Sequence, residues 1–149
     1  MKSEYRKLYD LYIKNIAHKM RYICDQKVSE YGLTSSQAIL LGIISRSVKE
    51  DRELSRAYLQ AAMKIRGPSV TNLLNKLERG GYIFRSTGQT DGRTFHIQVT
   101  VKGETFVNEM DTVFEQIEDQ LLKGMSDETK ETFLILLKQA SDNMDKATF

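Results

Sequence analysis

The chain has 149 residues, 40% of them hydrophobic and 28% charged, with a net charge of +2. These values are typical of one globular domain with a buried core, and they exclude a wholly disordered chain. A single cysteine, Cys24, excludes an intrachain disulfide, and no apolar run approaches the roughly 18 residues of a membrane span. We therefore expect a folded cytoplasmic protein without a membrane partner.

The charge is distributed unevenly along the chain. Residues 1–63 carry 11 Lys and Arg against 7 Asp and Glu, residues 64–102 carry 7 against 2, and residues 103–149 carry 4 against 11. A basic middle segment followed by an acidic end favours a face that binds a polyanion. A chance asymmetry of solvated faces is the alternative interpretation.

The first third of the chain predicts two helices. Apolar side chains recur at roughly helical spacing from Glu4 to Tyr31, and Gly32 is placed to end this helix with a positive φ. Thr34 begins the second helix with Gln37 three residues later, which is the pattern of a capping box. The following run, AILLGIISRSV, is apolar enough to form the central buried helix.

A charged break, KEDRE, separates the second helix from a short third one. Leu54 and Ser55 are placed as its N′ and N-cap residues, and Leu59 at the N4 position completes a hydrophobic staple. This third helix is expected to run to about Met63.

The fourth predicted helix has one apolar face and one face of small polar residues. Pro68 lies in its first turn, where proline is tolerated, and Gly80 and Gly81 end it. Its core stripe consists of Val70, Leu73, Leu74 and Leu77. Its other face consists of Ser69, Thr71, Asn72, Asn75, Lys76 and Arg79.

Two strand-like segments follow, residues 82–86 and 94–101, on either side of the loop 87–92. In the second segment apolar and polar side chains alternate, which is the period of a half-buried strand. Asp91 and Arg93 lie at the tip. A helix followed by a hairpin with a basic tip predicts a winged helix-turn-helix, whose helix can enter a DNA major groove while the tip reaches the minor groove.

The last third predicts two more helices. A long amphipathic helix follows Gly103 and is broken by Gly124, and Ser126 caps the final helix. Its inward positions are expected to be Phe133, Leu136, Leu137, Ala140 and Met144. The apolar stripes of residues 103–147 exceed what a small winged core can cover, so the pattern predicts a homodimer that buries them.

The segments SVTNLLNKLERGGYI and DGRTFHIQVTVKG resemble the MarR family of bacterial transcriptional regulators. That family's wing pattern is Asp-x-Arg, an alternating strand and Leu-Thr-x-x-Gly. This chain matches it with valine in place of leucine, at Asp91, Arg93, Val99, Thr100 and Gly103. The likeness extends over the whole chain, and the RGPSVTN segment most resembles the family's multidrug-efflux repressors.

The resemblance implies a mainly α fold with a small β-hairpin, in which a winged helix-turn-helix core adjoins a helical dimerisation region. The core would span residues 34–102, with the helix-turn-helix at about 55–79 and the wing at about 82–101. Residues 1–32 and 103–149 would form the dimerisation helices.

The same resemblance implies a homodimer that binds a near-palindromic operator in double-stranded DNA. Such a protein usually represses its own operon or an adjacent efflux or stress operon. A small aromatic or lipophilic ligand would release it from the DNA.

The DNA-contact candidates lie on the polar face of the fourth helix and at the wing tip. Small polar and basic side chains can bond with base edges or phosphates, and a guanidinium suits the potential of a narrow minor groove. The candidates are Arg66, Pro68, Ser69, Thr71, Asn72, Lys76 and Arg93. Asp91 would hold Arg93 in place by a salt bridge. A solvated helix face and an ordinary surface ion pair are the alternative interpretation.

The resemblance also implies a ligand cleft between the dimerisation region and the winged core. Its candidate ligand-binding residues here are His18, Tyr22 and Tyr31, with Tyr12 and Met20 as weaker candidates. Aromatic side chains at helical spacing are also common in cores and dimer interfaces, which is the alternative interpretation.

Two other regulatory or binding classes are weighed against this one. Some relatives sense peroxide through a thiol near the start of the first helix, where this chain has Tyr9, so Cys24 is better interpreted as a small buried hydrophobe. A winged unit can also serve protein–protein assembly.

An enzyme is disfavoured because the sequence has no catalytic or phosphate-binding motif. We expect no cofactor and no metal site, since His18 and His96 lie on different elements.

Overall fold

The computed structural model describes residues 4–86 and 93–149. The chain divides into two compact units, residues 1–114 and residues 115–149. The described elements are α1 (Glu4–Glu30), α2 (Ser35–Lys49), β1 (Leu54–Ser55), α3 (Arg56–Met63), α4 (Gly67–Arg79), β2 (Ile83–Arg85), β3 (Thr94–Phe95), β4 (Ile97–Val99), α5 (Val101–Leu121) and α6 (Asp127–Asp145). Among these elements, no helix combines the length and the apolar character that crossing a membrane requires.

Helix boundaries expected from local signals have the backbone geometry that those signals require. Gly32 after α1 and Gly124 after α5 have φ angles of 70° and 83°, in the left-handed region that favours glycine. The Thr34 hydroxyl accepts the Gln37 amide at 3.2 Å, and the Gln37 side chain accepts the Thr34 amide at 2.8 Å. The Ser55 hydroxyl accepts an amide of α3 at 3.0 Å. These caps satisfy N–H groups that have no partner inside their helices.

The expected hairpin is an antiparallel pair of β2 and β4, with Ile83 opposite Val99. A second antiparallel pair joins β1 to β3, with Leu54 opposite Phe95. The sequence analysis did not predict β1, because two residues are too few to show a strand period. The mainly α fold with a small β-hairpin is confirmed.

The final strand is shorter than its alternation suggested. We expected it to continue to Val101, but β4 ends at Val99 and α5 already begins at Val101. Thr100 explains the difference, because its hydroxyl donates to the Gly81 carbonyl at 2.5 Å and accepts the Gly103 amide at 3.1 Å. By satisfying an amide of the first helical turn, Thr100 starts the helix two residues before Gly103.

The core of the first unit is built from one face of α2 and one face of α4. Its fully buried aliphatic side chains on these two helices are Leu40, Leu41, Ile44, Val70, Leu74 and Leu77. Helix α2 contacts α1, α3, α4 and β4, so the prediction of a central buried helix is confirmed. Phe106 of α5 is 1% exposed and presents its ring to the rings of Tyr31 and Tyr82 edge to face.

Two helices carry large apolar side chains that the single chain leaves exposed. In α1, Tyr9 and Ile13 are 72% and 60% exposed. In α6 no residue is buried, and Leu134 is 67% exposed. The positions expected to face inward at Leu136, Leu137 and Met144 are also exposed. Both helices therefore carry large apolar side chains that are exposed in the described part of the chain.

Gly103 lies at the closest approach of α5 to the hairpin. A Cβ atom there would clash with the Tyr82 carbonyl oxygen and lie 2.6 Å from a methyl carbon of Val99. Gly103→Ala should therefore lower the free energy of unfolding by about 1–3 kcal/mol, the usual cost of overpacking. Urea unfolding at one fixed protein concentration measures this loss.

Gly42→Ala is the matched control, since nothing lies within 4 Å of a Cβ built at Gly42 in α2. It should be neutral or stabilise the fold by up to about 1 kcal/mol through helix propensity. Equal unfolding midpoints for the two variants would contradict the clash at Gly103.

Candidate nucleic-acid interface

The rotation of α4 about its axis decides which of its side chains can reach a partner. Val70, Leu74 and Leu77 are completely buried, so the opposite side of the helix faces solvent. On that side the exposed residues are Pro68, Ser69, Asn72, Lys76 and Arg79. The structure thus brings together on one exposed surface most of the polar residues that the sequence analysis selected on this helix.

Arg66 lies at the N-cap of α4 and is exposed. Its side chain makes no capping hydrogen bond to the helix. Its guanidinium therefore adds positive charge at the helix start, where the helix dipole also favours an anion. Both features suit a phosphate group near the first turn of α4.

Thr71 is placed differently from the other candidates on α4. It is half-buried, and its hydroxyl accepts a hydrogen bond from Arg56 Nη1 at 2.8 Å. The same guanidinium nitrogen donates to the Gly67 carbonyl at 3.2 Å. The hydroxyl of Thr71 is therefore engaged within the fold rather than displayed with Ser69 and Asn72.

A second arginine joins the wing to the C-terminal half of α4. Arg85 on β2 donates to Glu78 from Nε at 3.0 Å and from Nη2 at 2.7 Å, and its backbone N–H donates to the same carboxylate at 3.2 Å. Its Nη2 also donates to Asn75 Oδ1 at 2.5 Å. The sequence pattern predicts Asn75 on the outward face of α4 and does not indicate a role for Arg85, because no local spacing marks a contact between a strand and a helix.

The Arg85 pair also changes the charge of the surface. Its hydrogen bonds hold the pKa of Glu78 below the ordinary value, with burial acting in the opposite direction. Glu78 is the only acidic residue of α4, and its charge is compensated by Arg85. The exposed charges of α4 and its N-cap are consequently all positive, on Arg66, Lys76 and Arg79.

Arg93 is exposed and lies directly before β3. Its backbone carbonyl accepts the Arg56 amide at 2.8 Å, which ties the base of the wing to the start of α3. Asp91, the residue expected to support Arg93, lies outside the described residues. The described part of the wing thus adds another exposed cation, on a residue whose backbone bonds to the start of α3.

The candidate ligand residues lie at two places along α1 and its C-terminal end. His18 and Tyr22 are exposed on α1, and the Tyr22 hydroxyl accepts a hydrogen bond from Gln26 at 2.7 Å. Tyr31 lies nine residues beyond Tyr22, which is about 13 Å along a helix. A cleft of about 520 Å³ lies elsewhere, between residues 48–54 and the strands β3 and β4.

Tyr31 joins three elements at the end of α1. Its hydroxyl donates to Glu109 on α5, its ring lies 4.9 Å from that of Phe106, and its carbonyl accepts the Tyr82 hydroxyl at 3.2 Å. The hydrogen bond to Glu109, with burial, raises the pKa of Tyr31, and the same bond lowers the pKa of Glu109 with help from the charge of Lys27. Tyr31 therefore connects α1 and α5 to the residue that precedes β2.

Cys24 is half-buried and packs against the core. Burial raises the pKa of its thiol, and the charge of Asp25 raises it further. A raised pKa lowers the fraction of thiolate, which is the reactive species. This environment favours the interpretation of Cys24 as a small buried hydrophobe over its interpretation as a peroxide sensor.

Within residues 4–86 and 93–149, no three His, Cys, Asp or Glu side chains form a group that could hold a metal ion.

Comparison with known proteins shows which proteins this chain is similar to. A sequence model of the MarR family matches residues 31–94. The structure is similar to that of MepR from Staphylococcus aureus, a transcription regulator of the multidrug efflux pump MepA, with 26% identity, a TM-score of 0.70, and coverage of 91% of this chain and 98% of that one. The chain is therefore similar to the MarR family over residues 31–94, and to MepR over most of its length.

Two further MepR structures show the same relationship. The MepR–DNA complex is 27% identical, with a TM-score of 0.70 and coverage of 91% of this chain and 99% of that one. MepR bound to ethidium bromide is 27% identical, with a TM-score of 0.68 and coverage of 91% and 96%. The proteins of the MarR family and the MepR homologues that this chain resembles are transcription regulators and not enzymes.

Replacing Arg85 should change how the stability of this protein responds to acid. Arg85→Met should raise the pKa of Glu78 toward its ordinary value of 4.5, as followed by carboxyl ¹³C NMR. A carboxylate with a lowered folded-state pKa stabilises the fold above its unfolded pKa and loses that effect as the pH falls. The stability difference from wild type should be about 0.5–1 kcal/mol at neutral pH and should shrink below about pH 4.5.

Arg52→Met provides the control, because Arg52 forms an ion pair with Glu50 at 2.8 Å in which both side chains are well exposed. Such a pair contributes little to stability, so its loss should leave the unfolding midpoint nearly unchanged. A stability loss in Arg85→Met that does not vary with pH would show that the pair with Glu78 is not its cause.

Proposed function

We propose that this chain is a MarR-family transcriptional regulator that binds double-stranded DNA as a homodimer, represses its own operon or an adjacent efflux or stress operon, and is released by a small-molecule ligand. The observation that carries the proposal is the exposed face of α4, whose charges are all positive, together with the exposed Arg93 of the wing. DNA attracts such a surface through its phosphates and is read through its base edges.

The two parts of this surface suit different parts of DNA. An α-helix fits the major groove, where Asn72 can bond bidentately with adenine and Ser69 can accept or donate a hydrogen bond. Arg66 and Lys76 at the sides of the helix suit the flanking phosphates. Arg93 on the wing suits the narrow minor groove, where a guanidinium responds to width and charge. The DNA-bound state of MepR supports the proposal by relationship.

The proposed dimer uses the terminal helices. Residues 1–32 and 103–149 form the dimerisation region in this proposal, and residues 34–102 form the winged core, with the helix-turn-helix at about 55–79 and the wing at about 82–101. The exposed apolar side chains of α1 and of α6 support the assignment, because monomers rarely expose such surface. Two copies related by a two-fold axis would read half-sites about 34 Å apart, in a near-palindromic operator.

The proposed ligand is a small aromatic or lipophilic molecule. MepR binds ethidium, a planar aromatic cation, and this relationship supports the same ligand class here. Of the candidate residues, Tyr31 has the strongest support, because it contacts both α5 and the start of the hairpin. A ligand that displaced the Tyr31 hydroxyl from Glu109 would act on α1, α5 and the wing together.

DNA binding is tested with the duplex that the wild-type protein enriches from a random-sequence library, and with a scrambled duplex. Arg93→Ala should weaken binding to both duplexes and lower the log–log salt slope by roughly one per subunit. Asn72→Ala should instead relax the preference at one base position per half-site, by about 1–3 kcal/mol.

Lys130→Ala, which removes an exposed cation from α6, is the matched charge control and should leave both quantities unchanged. If Arg93→Ala bound DNA with the wild-type affinity and the wild-type salt slope, the wing would have no role in DNA binding. If the wild-type protein showed no salt-dependent binding to any duplex, a winged unit for protein–protein assembly would become the better explanation.

The dimer is tested by sedimentation at micromolar concentration, where the wild-type mass should be twice the 17.1 kDa of the chain. Leu136→Glu, at an α6 position that is 56% exposed, should shift the protein toward monomer because it would bury a charge in the interface. Gln139→Glu adds the same charge at an exposed polar position of α6 and should sediment like wild type. A monomeric wild-type protein would refute the dimer.

A further inference from the structure

Arg56, the first residue of α3, lies between three elements of the winged core. Its Nη1 donates to the Thr71 hydroxyl at 2.8 Å and to the Gly67 carbonyl at 3.2 Å, both on α4. Its guanidinium lies 5.1 Å from the centre of the Phe95 ring on β3. Its backbone N–H donates to the Arg93 carbonyl at 2.8 Å. One residue therefore contacts α4 and the strand that follows the wing tip.

The start of α4 depends on this contact more than an ordinary helix start would. Arg66 supplies no side-chain cap to the first turn, so the usual local means of holding a helix N-terminus is absent. Gly67 instead packs directly on α3, since a Cβ there would lie 2.7 Å from the Gln60 amide nitrogen and 3.6 Å from Arg56 Nη1. The first turn of α4 is thus held in place by contacts with residues of α3.

We propose that Arg56 is a positioning residue that sets the first turn of α4 relative to Arg93 and β3, and that Thr71 serves as its hydrogen-bond acceptor rather than as a base-reading residue. This inference rests on the proposed DNA-binding function. Arg56 holds the exposed Ser69 and Asn72 in register with Arg93, and its own charge is directed into the fold.

The chemistry of arginine explains why this residue suits the position. A planar guanidinium can donate hydrogen bonds in its plane while one of its faces rests on an aromatic ring. A lysine ammonium is a single point charge and cannot keep both arrangements at once. Arg56→Lys should therefore behave like Arg56→Met rather than like wild type.

The first measurement is amide hydrogen exchange of the free protein. Arg56→Met should speed exchange by about tenfold at Ser69 and Val70, whose amides bond to the Arg66 carbonyl, while the α2 core exchanges at the wild-type rate. Arg46→Met, which removes an exposed arginine of α2, is the control and should leave these amides unchanged. Wild-type exchange at the first turn of α4 in Arg56→Met would overturn the inference without reference to DNA.

The second measurement is binding to the library-selected duplex and to its single-base variants. Thr71→Val, Arg56→Met and the double variant should each weaken binding by about tenfold, without a further loss in the double variant and without a change of preference at any base pair. Thr71→Ser keeps the hydroxyl and should restore wild-type affinity.

The opposite pattern would assign Thr71 to base reading. A relaxed preference at one base position in Thr71→Val, with losses that multiply in the double variant, would overturn the proposal. If Arg56→Met failed to fold, Thr71→Val, which is similar in shape, and Thr71→Ser would decide the matter by themselves. If the wild-type protein enriched no duplex, the proposed function would fail, and the amide exchange would still decide the role of Arg56.

Discussion

The burial of three aliphatic side chains on one face of α4 is the constraint on which the rest of the molecule depends. Val70, Leu74 and Leu77 have no exposed surface, and each contributes roughly 1.5–3 kcal/mol by leaving water. Because a helix is a rigid cylinder, this burial fixes the direction of every other side chain on α4. Asn72 and Lys76 face solvent for this reason, and no separate interaction is needed to turn them outward.

Burial of one face sets the rotation of α4, but it leaves the helix free to slide and tilt. Two arginines limit those movements, since Arg56 contacts the N-terminal half of α4 and Arg85 contacts its C-terminal half. The backbone N–H of Arg56 bonds to the Arg93 carbonyl of the wing, and Arg85 lies in β2, which is itself part of the wing. The wing and α4 are therefore linked by polar contacts at two points, in addition to the shared apolar core.

The fold could be predicted largely from local signals, and the candidate interface only in part. Gly32, Thr34 and Ser55 act on their own neighbours in the chain, so their effects are visible in the sequence. The environment of Thr71 could not be predicted from its neighbours in the chain. Thr71 lies three residues before the buried Leu74, at the border between the two faces of α4, and a partner 15 residues away decides its environment. Arg85 was missed for the same reason, because its partners are set by the packing of β2 on α4.

The exposure of α6 has a consequence for how the protein responds to its own concentration. Most of the stability of a helix in a protein comes from the packing of an apolar face, and α6 has no buried residue to supplement its Ser126 cap and its Lys138–Asp142 ion pair. Whatever covers its apolar side chains then supplies much of the free energy that keeps it helical. If the cover is a second copy, mass action makes the order of this helix increase with the amount of protein in the cell. The level at which the protein is expressed would then determine what fraction of the chains has α6 folded.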